Sequence, residues 1–254
     1  LRAVLCQFVA KWSSKSLKIH SPHCHPVPYS NDVTLWARRF ADLEGFAVLD
    51  SRKRDNDSGR YDIITALPDR YFCVTDFGGD AARWISAIEA DLNASPAESS
   101  RMAIGFLDFE TAAANTLNVP SEPLQPAIAG IYSWYVLQDH SEERAWLVQD
   151  PCVSAQTSTE VRRRMAAADN KMELKYHIDH KFTADISSGS YRSMVDEVRA
   201  LIAAGDCYQA NIAQRFQCSY SGSEYGIYEA LRDVAPGDYA AFLKLGSNHA
   251  VISQ

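Results

Sequence analysis

The stretch that decides the fold is GDCYQANIAQRF, residues 205–216. Within it, the alternating pattern of residues 207–216 predicts a β-strand, because successive side chains of a strand point to opposite faces of the sheet. One face carries Tyr208, Ala210, Ile212 and Phe216, and the other carries Gln209, Asn211 and Arg215. We expect the amide face to be at least half buried, and buried amides need hydrogen-bond partners. It is either an interstrand hydrogen-bond ladder or a face that binds a ligand.

The segments around this stretch predict an α+β fold. Before it, apolar residues from Met194 to Ile202 share one helix face, and Gly205 is placed to end that helix. After it, Ser223 can cap another helix, and 239–245 and 249–253 read as a strand hairpin. Towards the N-terminus, strand-like runs, including a long one over 128–138, mix with separate helices. Without regular βαβ alternation, this predicts largely antiparallel sheets sandwiched with helices.

The chain divides into four stretches by composition. Residues 1–30 have no sustained period, and we interpret them as a leader that is disordered or non-native. Residues 31–168 form a first region, and the polar stretch 169–189 is the best linker candidate. Residues 190–254 begin a second region that ends on an apolar strand. We therefore expect the sequence to be the front part of something longer.

Composition excludes several classes of protein. The chain has 254 residues, of which 46% are hydrophobic and 22% charged, which is typical of a globular protein. Its 25 Lys and Arg against 32 Asp and Glu give a net charge of −7, which argues against a nucleic-acid partner. No apolar run approaches the roughly 18–20 residues that span a bilayer, so we expect no membrane insertion. The 6 cysteines are scattered without a CxxC pair, which predicts reduced thiols and a cytoplasmic location.

Few motifs point to metal or nucleophile chemistry. His20, His23, Cys24 and His25 lie close together, but no second cluster completes a ligand shell, and we predict no metal site in this chain. No GxSxG elbow and no glycine-rich phosphate loop occurs.

The decisive stretch resembles a known family when it is taken with other segments. Val48–Ser51, Gly59–Ile64, Ala129–Trp134 and Ala240–Leu243 match further family motifs in the expected order. Together they resemble component I of aminodeoxychorismate synthase and its close relative, anthranilate synthase component I. The resemblance covers about residues 32–254 and implies the α/β sandwich of that family.

The resemblance also favours one branch of the family. Anthranilate enzymes tend to carry Phe-Gln-Val-Val-x-Ser after Gly-Asp, whereas aminodeoxychorismate enzymes carry Tyr-Gln-x-Asn followed by a hydrophobic residue. This chain has Tyr208-Gln209-Ala210-Asn211-Ile212. It departs from the family at Asp238, where proline is common.

For such an enzyme, the resemblance implies replacement of the 4-hydroxyl of chorismate by an amino group. Ammonia comes from glutamine through a separate amidotransferase subunit, component II, and the reaction uses Mg²⁺. The general acid, a Glu of Ser-Pro-Glu, and the nucleophile, a Lys of Pro-Ile-Lys-Gly, are expected beyond Gln254, as are the groups that bind Mg²⁺. We therefore expect no catalytic residue in this chain and no activity from it alone. The alternatives are anthranilate synthase component I and a non-catalytic tryptophan-binding or scaffold domain.

The resemblance further implies a tryptophan site in the N-terminal half. Such a site needs acceptors for an ammonium, donors for a carboxylate and an apolar slot for an indole. Asp50, Ser51 and Tyr61 are chemically suitable. In the alternative interpretation, Ser51 merely ends a strand and Arg60 merely pairs on the surface. By motif match the site is lined by Ser51, Ser58, Gly59, Arg60, Tyr61, Asp238, Tyr239 and Ala240.

Overall fold

A computed structural model describes residues 7–11, 23–51, 59–96, 98–107, 127–167, 174–179, 181–237, 239–246 and 251–253. The described residues fall into two units. Lys175–Ser223 form the small unit, and the described parts of Val4–Leu174 and Glu224–Gln254 form the large unit.

The large unit contains most of the strands. They are β1 (Gln7–Lys11), β2 (Cys24–Val27), β3 (Ala47–Asp50), β4 (Tyr61–Thr65), β5 (Arg70–Cys73), β6 (Met102–Leu107), β7 (Ile128–Tyr132), β8 (Trp134–Asp139), β9 (Arg144–Gln149), β14 (Ala240–Leu243) and β15 (Val251–Ser253). Its helices are α1 (Thr34–Ala37), α2 (Ala81–Asn93), α3 (Ala155–Ala166) and α5 (Glu224–Val234), with a 3-10 turn over Val74–Phe77.

Two antiparallel sheets organise the large unit. The larger sheet has seven described strands in the order β15-β14-β3-β4-β8-β9-β2, and the smaller has four in the order β1-β6-β7-β5. All the strand pairs are antiparallel. The predicted hairpin near the C-terminus is confirmed by the pairing of β14 with β15. The α+β class with largely antiparallel sheets is confirmed as well.

Three apolar clusters hold these layers together. One side of the larger sheet, including Val48 and Phe242, packs with the helical segments of α1, α3 and α5, and we call it the helix face. The opposite side, including Ile63 and Leu137, packs with side chains of the smaller sheet, and we call it the inner face. A third cluster joins β6 and β7 of the smaller sheet to Trp84 of α2. Both faces of the larger sheet are therefore buried.

The long strand predicted over 128–138 is wrong as a single element. It is two strands, β7 in the smaller sheet and β8 in the larger one, separated at Ser133. The Ser133 hydroxyl donates a hydrogen bond to the Asp69 carboxylate at 2.8 Å. Because the residues on both sides of Ser133 are buried, the run is apolar throughout and its period does not show the break.

Two described parts of residues 1–30, the segment that we interpret from the sequence as a leader, are β-strands. Gln7–Lys11 pairs with β6, and Cys24–Val27 pairs with β9 at the end of the larger sheet. Pro26 is tolerated there because an edge strand can leave one backbone position without a donor. Proline and histidine in Cys24–Val27 hide this strand from a propensity argument.

The small unit contains α4 (Ser188–Ala204) and four short strands. These are β10 (Tyr176–Ile178), β11 (Thr183–Ala184), β12 (Phe216–Gln217) and β13 (Tyr220–Gly222), which pair as β10-β13 and β11-β12. The predicted linker stretch 169–189 includes β10 and β11, and α5, β14 and β15 group with the large unit. The stripe on α4 is not buried within the described residues, since Leu201 and Ile202 are 41% and 42% exposed.

The strand predicted over 207–216 is largely wrong. Within it only Phe216 belongs to a strand, and the preceding residues have no regular secondary structure. Alternation of side chains indicates an extended backbone but does not supply a neighbouring strand, and β-structure requires one.

The two glycines of α4 are expected to respond oppositely to alanine. Gly205 ends the helix with a φ of 85°, where a Cβ is strained, so Gly205→Ala should lower the free energy of unfolding by about 1–2 kcal/mol. Gly189 lies inside the first turn with space for a Cβ, so Gly189→Ala should raise it by about 0.5–1 kcal/mol. Urea unfolding followed by far-ultraviolet circular dichroism checks both. Equal effects would contradict the assignment of Gly205 as the helix end.

Candidate functional site

A polar row crosses the helix face of the larger sheet near the ends of β3 and β4. Ala240 pairs with Asp50, and Asp62 pairs with Gln138. Since Leu49 pairs with Ile63, the next position of the register brings Asp50 beside Asp62. Both carboxylates are buried, with 2% and 0% of their surface exposed. Two neighbouring buried carboxylates require compensating partners.

Asp50 receives these partners from α5. Tyr228 donates its hydroxyl to Asp50 Oδ2 at 3.0 Å, and the Arg232 guanidinium contacts both carboxylate oxygens. Arg232 also donates to Asp32 Oδ1 at 3.0 Å. Burial raises the pKa of Asp50, and the neighbouring Asp62 charge acts in the same direction, although Arg232 and Tyr228 oppose them. Burial alone would lower the pKa of Arg232, but Asp50 and Asp32 raise it above its usual value.

Asp62 is held from three directions. Its Oδ1 accepts the Ser51 backbone N–H at 2.9 Å, and its Oδ2 lies 3.3 Å from Gln138 Nε2 and 2.8 Å from His140 Nε2. The other ring nitrogen of His140 is 2.9 Å from the Tyr29 hydroxyl. This chain of contacts fixes the backbone at Ser51, directly after β3.

Ser51 and Tyr61 are connected beside this network. The buried Ser51 hydroxyl donates to the Tyr61 carbonyl at 3.0 Å, which ties the end of β3 to the start of β4. Tyr61 packs against the cluster of the inner face, as does Leu49. Gly59, two residues earlier, has a φ of 79°, a left-handed conformation that glycine adopts without strain.

Arg60 forms a bidentate ion pair with Asp139. Its Nη2 lies 2.6 Å from Oδ2 and its Nε lies 3.0 Å from Oδ1. The guanidinium also lies over the Tyr61 ring, 4.9 Å from its centroid. Burial would raise the pKa of Asp139, but the hydrogen bonds from Arg60 and from the N–H groups of Glu142 and Ser141 lower it overall.

This lowered pKa predicts an acid dependence of stability. A carboxylate whose pKa is lowered by folding stabilises the protein above its unfolded pKa, about 3.9, and loses this contribution as the pH falls through the folded value. Asp139→Asn should therefore destabilise the protein at pH 7, and the difference from wild type should shrink below about pH 4. Urea midpoints at pH 7, 5 and 3 test this, with Asp196→Asn as the control because that side chain is 75% exposed. A difference that does not change with pH would contradict it.

The predicted tryptophan-site residues are only partly brought together. Ser51, Gly59, Arg60 and Tyr61 lie at the adjacent ends of β3 and β4. Ala240, on β14, is buried and pairs with Asp50 of β3. Tyr239 is 73% exposed. Ser58 and Asp238 lie outside the described residues, so the predicted site is only partly described.

The other predicted residues belong to the small unit. Tyr208 is 94% exposed, and Gln209 and Asn211 are also exposed, so the predicted half-buried amide face is wrong in this structure. Arg215 donates through Nε to Asp185 Oδ2 at 3.2 Å. Gln214, which we did not name on either predicted face, donates its side-chain amide to the Ile186 carbonyl at 2.8 Å.

Sequence reasoning missed several polar residues of the large unit. Asp62 lies inside a motif that we quoted, but His140 and Arg232 carry no local signal.

A cleft of about 700 Å³ was also missed. Its lining residues are Leu43, Glu44, Leu67, Pro68, Asp69, Arg70, Arg101, Cys152, Ser154, Gln156, Thr157 and Glu160, none of which belongs to the predicted tryptophan site.

The sequence of this chain matches the model of a known protein family over most of its length. The family model described as "chorismate binding enzyme" matches residues 47–254. The chain belongs to the chorismate-binding enzyme family. The match runs from β3, through the small unit, to the strand hairpin at β14 and β15.

Individual relatives lie in both branches of the family. Aminodeoxychorismate synthase component 1 of Escherichia coli (strain K12) is 32% identical over 120 residues, which are 46% of this chain and 24% of that protein. Anthranilate synthase component 1 of Lactococcus lactis subsp. lactis (strain IL1403) is 20% identical over 236 residues, 80% of this chain and 50% of that protein. The chain thus spans about a quarter to a half of the length of these relatives.

A solved structure shares the fold. The crystal structure of anthranilate synthase component I from Streptococcus pneumoniae TIGR4 superposes with a TM-score of 0.50 at 18% identity. The superposition covers 95% of this chain and 48% of the Streptococcus pneumoniae chain. The family resemblance predicted from the sequence is confirmed, and so is the fold that it implies.

Two further properties concern the described residues only. None of their helices is long and apolar enough to cross a bilayer. The described cysteines are not joined to one another by disulfides: Cys24, Cys73, Cys152, Cys207 and Cys218.

Proposed function

We propose that the full-length protein is the chorismate-aminating subunit that makes 4-amino-4-deoxychorismate, a precursor for 4-aminobenzoate and folate. Chorismate is its substrate, and ammonia reaches it from glutamine through an amidotransferase subunit. Membership of the chorismate-binding family supports the substrate class. The proposed location is the cytoplasm.

One observation carries the choice of product. The run Tyr208-Gln209-Ala210-Asn211-Ile212 has the form that aminodeoxychorismate enzymes share rather than the anthranilate form. The match to the Escherichia coli aminodeoxychorismate synthase supports the same branch.

Mg²⁺ belongs to the proposal but not to the residues described here. No group of three His, Cys, Asp or Glu side chains that could hold a metal ion occurs in the described part of the chain. The family resemblance implies that Mg²⁺ binding, the general acid and the nucleophile depend on Ser-Pro-Glu and Pro-Ile-Lys-Gly motifs, which this sequence does not contain. On that ground we propose that the 254-residue chain alone is inactive.

Anthranilate synthase component I is the second candidate. The Lactococcus lactis anthranilate synthase matches over 80% of this chain, although its identity is lower. The two candidates share chorismate and ammonia but release different products, so a single assay separates them.

The test incubates the full-length protein with chorismate, Mg²⁺ and ammonium chloride, and identifies the product by liquid chromatography and mass spectrometry. We expect 4-amino-4-deoxychorismate, and 4-aminobenzoate after a lyase is added. Fluorescent anthranilate would favour the second candidate. No turnover of chorismate would favour a non-catalytic scaffold. Addition of an amidotransferase subunit with glutamine should replace the need for ammonium, and the 254-residue chain is the matched inactive control.

We also propose that the ends of β3 and β4 form part of a tryptophan site. Ser51, Gly59, Arg60 and Tyr61 lie together there, and the adjacent residues 52–58 include Ser58. The Tyr61 ring provides apolar surface, and the Arg60 guanidinium, although paired with Asp139, is 44% exposed and suits a ligand carboxylate. Isothermal titration calorimetry of the 254-residue chain with L-tryptophan tests the site. Absence of binding heat at millimolar tryptophan would contradict it.

A further inference from the structure

Asp62 is the centre of a buried network that reaches the end of β3. Its Oδ1 accepts the backbone N–H of Ser51, and its Oδ2 faces Gln138 and His140. Asp62 and Gln138 are buried, and the His140 side chain is only 4% exposed. A buried carboxylate keeps its place only while such donors remain, because leaving a buried charge without its hydrogen bonds is costly.

The Gln138 amide has one orientation that suits both of its neighbours. Its Oε1 accepts the Ser30 backbone N–H at 3.1 Å, so the other end of the amide, Nε2, faces Asp62 Oδ2 at 3.3 Å. A backbone N–H can only donate, which determines the end of the amide that is the oxygen. Gln138 therefore donates to Asp62, and it connects Asp62 to the segment that follows β2.

The same reasoning determines where His140 carries a hydrogen. A carboxylate oxygen only accepts hydrogen bonds, so the ring nitrogen 2.8 Å from Asp62 Oδ2, Nε2, is the donor. The other ring nitrogen, Nδ1, lies 2.9 Å from the Tyr29 hydroxyl, which can donate to it or accept from it. The contact with Asp62 thus keeps a hydrogen on Nε2, and the contact with Tyr29 orients the ring.

We propose that His140 is a positioning residue of the tryptophan site. Its Nε2–H holds the Asp62 carboxylate, and that carboxylate holds the backbone N–H of Ser51 at the end of β3. The inference rests on the proposed tryptophan site, and it concerns the residues behind that site. Groups that bind a ligand keep their geometry only when neighbouring hydrogen bonds support them, and His140 supplies this support from 89 residues away in the chain.

The first test compares two amide side chains at position 140 by calorimetry with L-tryptophan. The side-chain nitrogen of glutamine can occupy the place of Nε2, whereas that of asparagine reaches only as far as Nδ1. His140→Gln should bind tryptophan within about threefold of wild type and His140→Asn about tenfold more weakly, since a hydrogen bond to a charged group is worth at least that factor. His177→Asn should bind like wild type, because that side chain is 63% exposed in the small unit.

Each outcome of the calorimetry has one meaning. Equal affinities for His140→Gln and His140→Asn would overturn the inference while leaving the tryptophan site standing. If wild type does not bind tryptophan, the site and the inference both fail. Chorismate amination by the full-length protein is judged separately.

Amide hydrogen exchange separates a local release of Ser51 from a general loss of stability. In His140→Asn the Ser51 N–H should exchange about tenfold faster than in wild type, because the Asp62 carboxylate that accepts it is no longer held. The N–H of Ile64, a residue that pairs with both β3 and β8, should keep its rate. Equal acceleration at Ser51 and Ile64 would mean that His140 stabilises the whole sheet, and would overturn the positioning role.

The position of the hydrogen is measured on the unmodified chain by heteronuclear NMR of nitrogen-labelled histidine side chains. We expect His140 to carry a hydrogen on Nε2, with or without a second one on Nδ1. A ring with hydrogen on Nδ1 alone could not donate to Asp62 and would overturn the inference. This measurement decides the matter if neither amide variant gives a cooperative urea transition.

Discussion

Replacing Arg232 by methionine should lower the free energy of unfolding by about 3–5 kcal/mol. The substitution leaves the buried Asp50 carboxylate, 2% exposed, without its guanidinium partner. Tyr228 remains as a single donor to it. Because burial already raises the pKa of Asp50, loss of the cation should favour the protonated carboxyl still further. Urea unfolding at pH 7 measures the loss.

A surface arginine on the same helix contact provides the matched control. Arg38 makes a bidentate pair with Glu229 of α5, but its side chain is 44% exposed. Arg38→Gln should therefore cost no more than about 1 kcal/mol. The double variant D50N/R232Q should recover at least half of the loss seen in Arg232→Met, because no uncompensated buried charge remains. Equal losses for Arg38→Gln and Arg232→Met would contradict a structural role for the buried pair.

The buried ion pair also shows where sequence reasoning stops. The helix that we predict after Ser223 carries the apolar residues Ile227, Tyr228, Leu231 and Val234. Ile227 and Tyr228 are buried, but Val234 is 79% exposed. The structure buries Arg232 at 5% exposure and leaves Leu231 at 36%. Arginine is almost never fully buried unless it is paired, and its partner Asp50 is 182 residues away in the chain. A local period cannot identify such a distant partner.

Elements with strong local signals were predicted well. The helix that ends at Gly205 and the hairpin of β14 and β15 follow from an apolar stripe, a left-handed glycine and two short apolar runs. The break at Ser133 was missed because both neighbouring strands are buried. The motif in 205–216 predicted the family correctly, but the alternation within it did not predict the secondary structure. A motif match indicates common ancestry, whereas alternating side chains indicate only an extended backbone.

The candidate site likewise contains some residues that the sequence predicts and others that it does not. Ser51, Gly59, Arg60 and Tyr61 were predicted from motif matches, and the structure brings them to neighbouring strand ends. The network behind them was not predicted, because Asp62 and His140 meet only when β4 pairs with β8. Which face of the sheet a motif residue occupies depends on that register. Asp50 and Ser51 are neighbours in sequence with different surroundings for this reason.

Replacing Phe242 by alanine should be comparably damaging, at about 3–5 kcal/mol of unfolding free energy. Phe242 is 1% exposed, and its ring lies 5.3–5.7 Å from the rings of Phe46, Tyr225 and Tyr228. Alanine would leave a cavity between β14 and α5 that this rigid aromatic cluster cannot easily fill. The measurement is urea unfolding at pH 7.

Tyr239, three residues earlier, is the matched aromatic control for Phe242. It is 73% exposed, so Tyr239→Ala should change the free energy of unfolding by no more than about 0.5 kcal/mol. A small loss for Phe242→Ala would mean that α5 does not depend on this cluster for its position. In that case the Asp50–Arg232 pair alone would have to hold the helix against the sheet. Combining Phe242→Ala with Arg232→Met then separates the two contributions, because contacts that share one helix should give losses that are not additive.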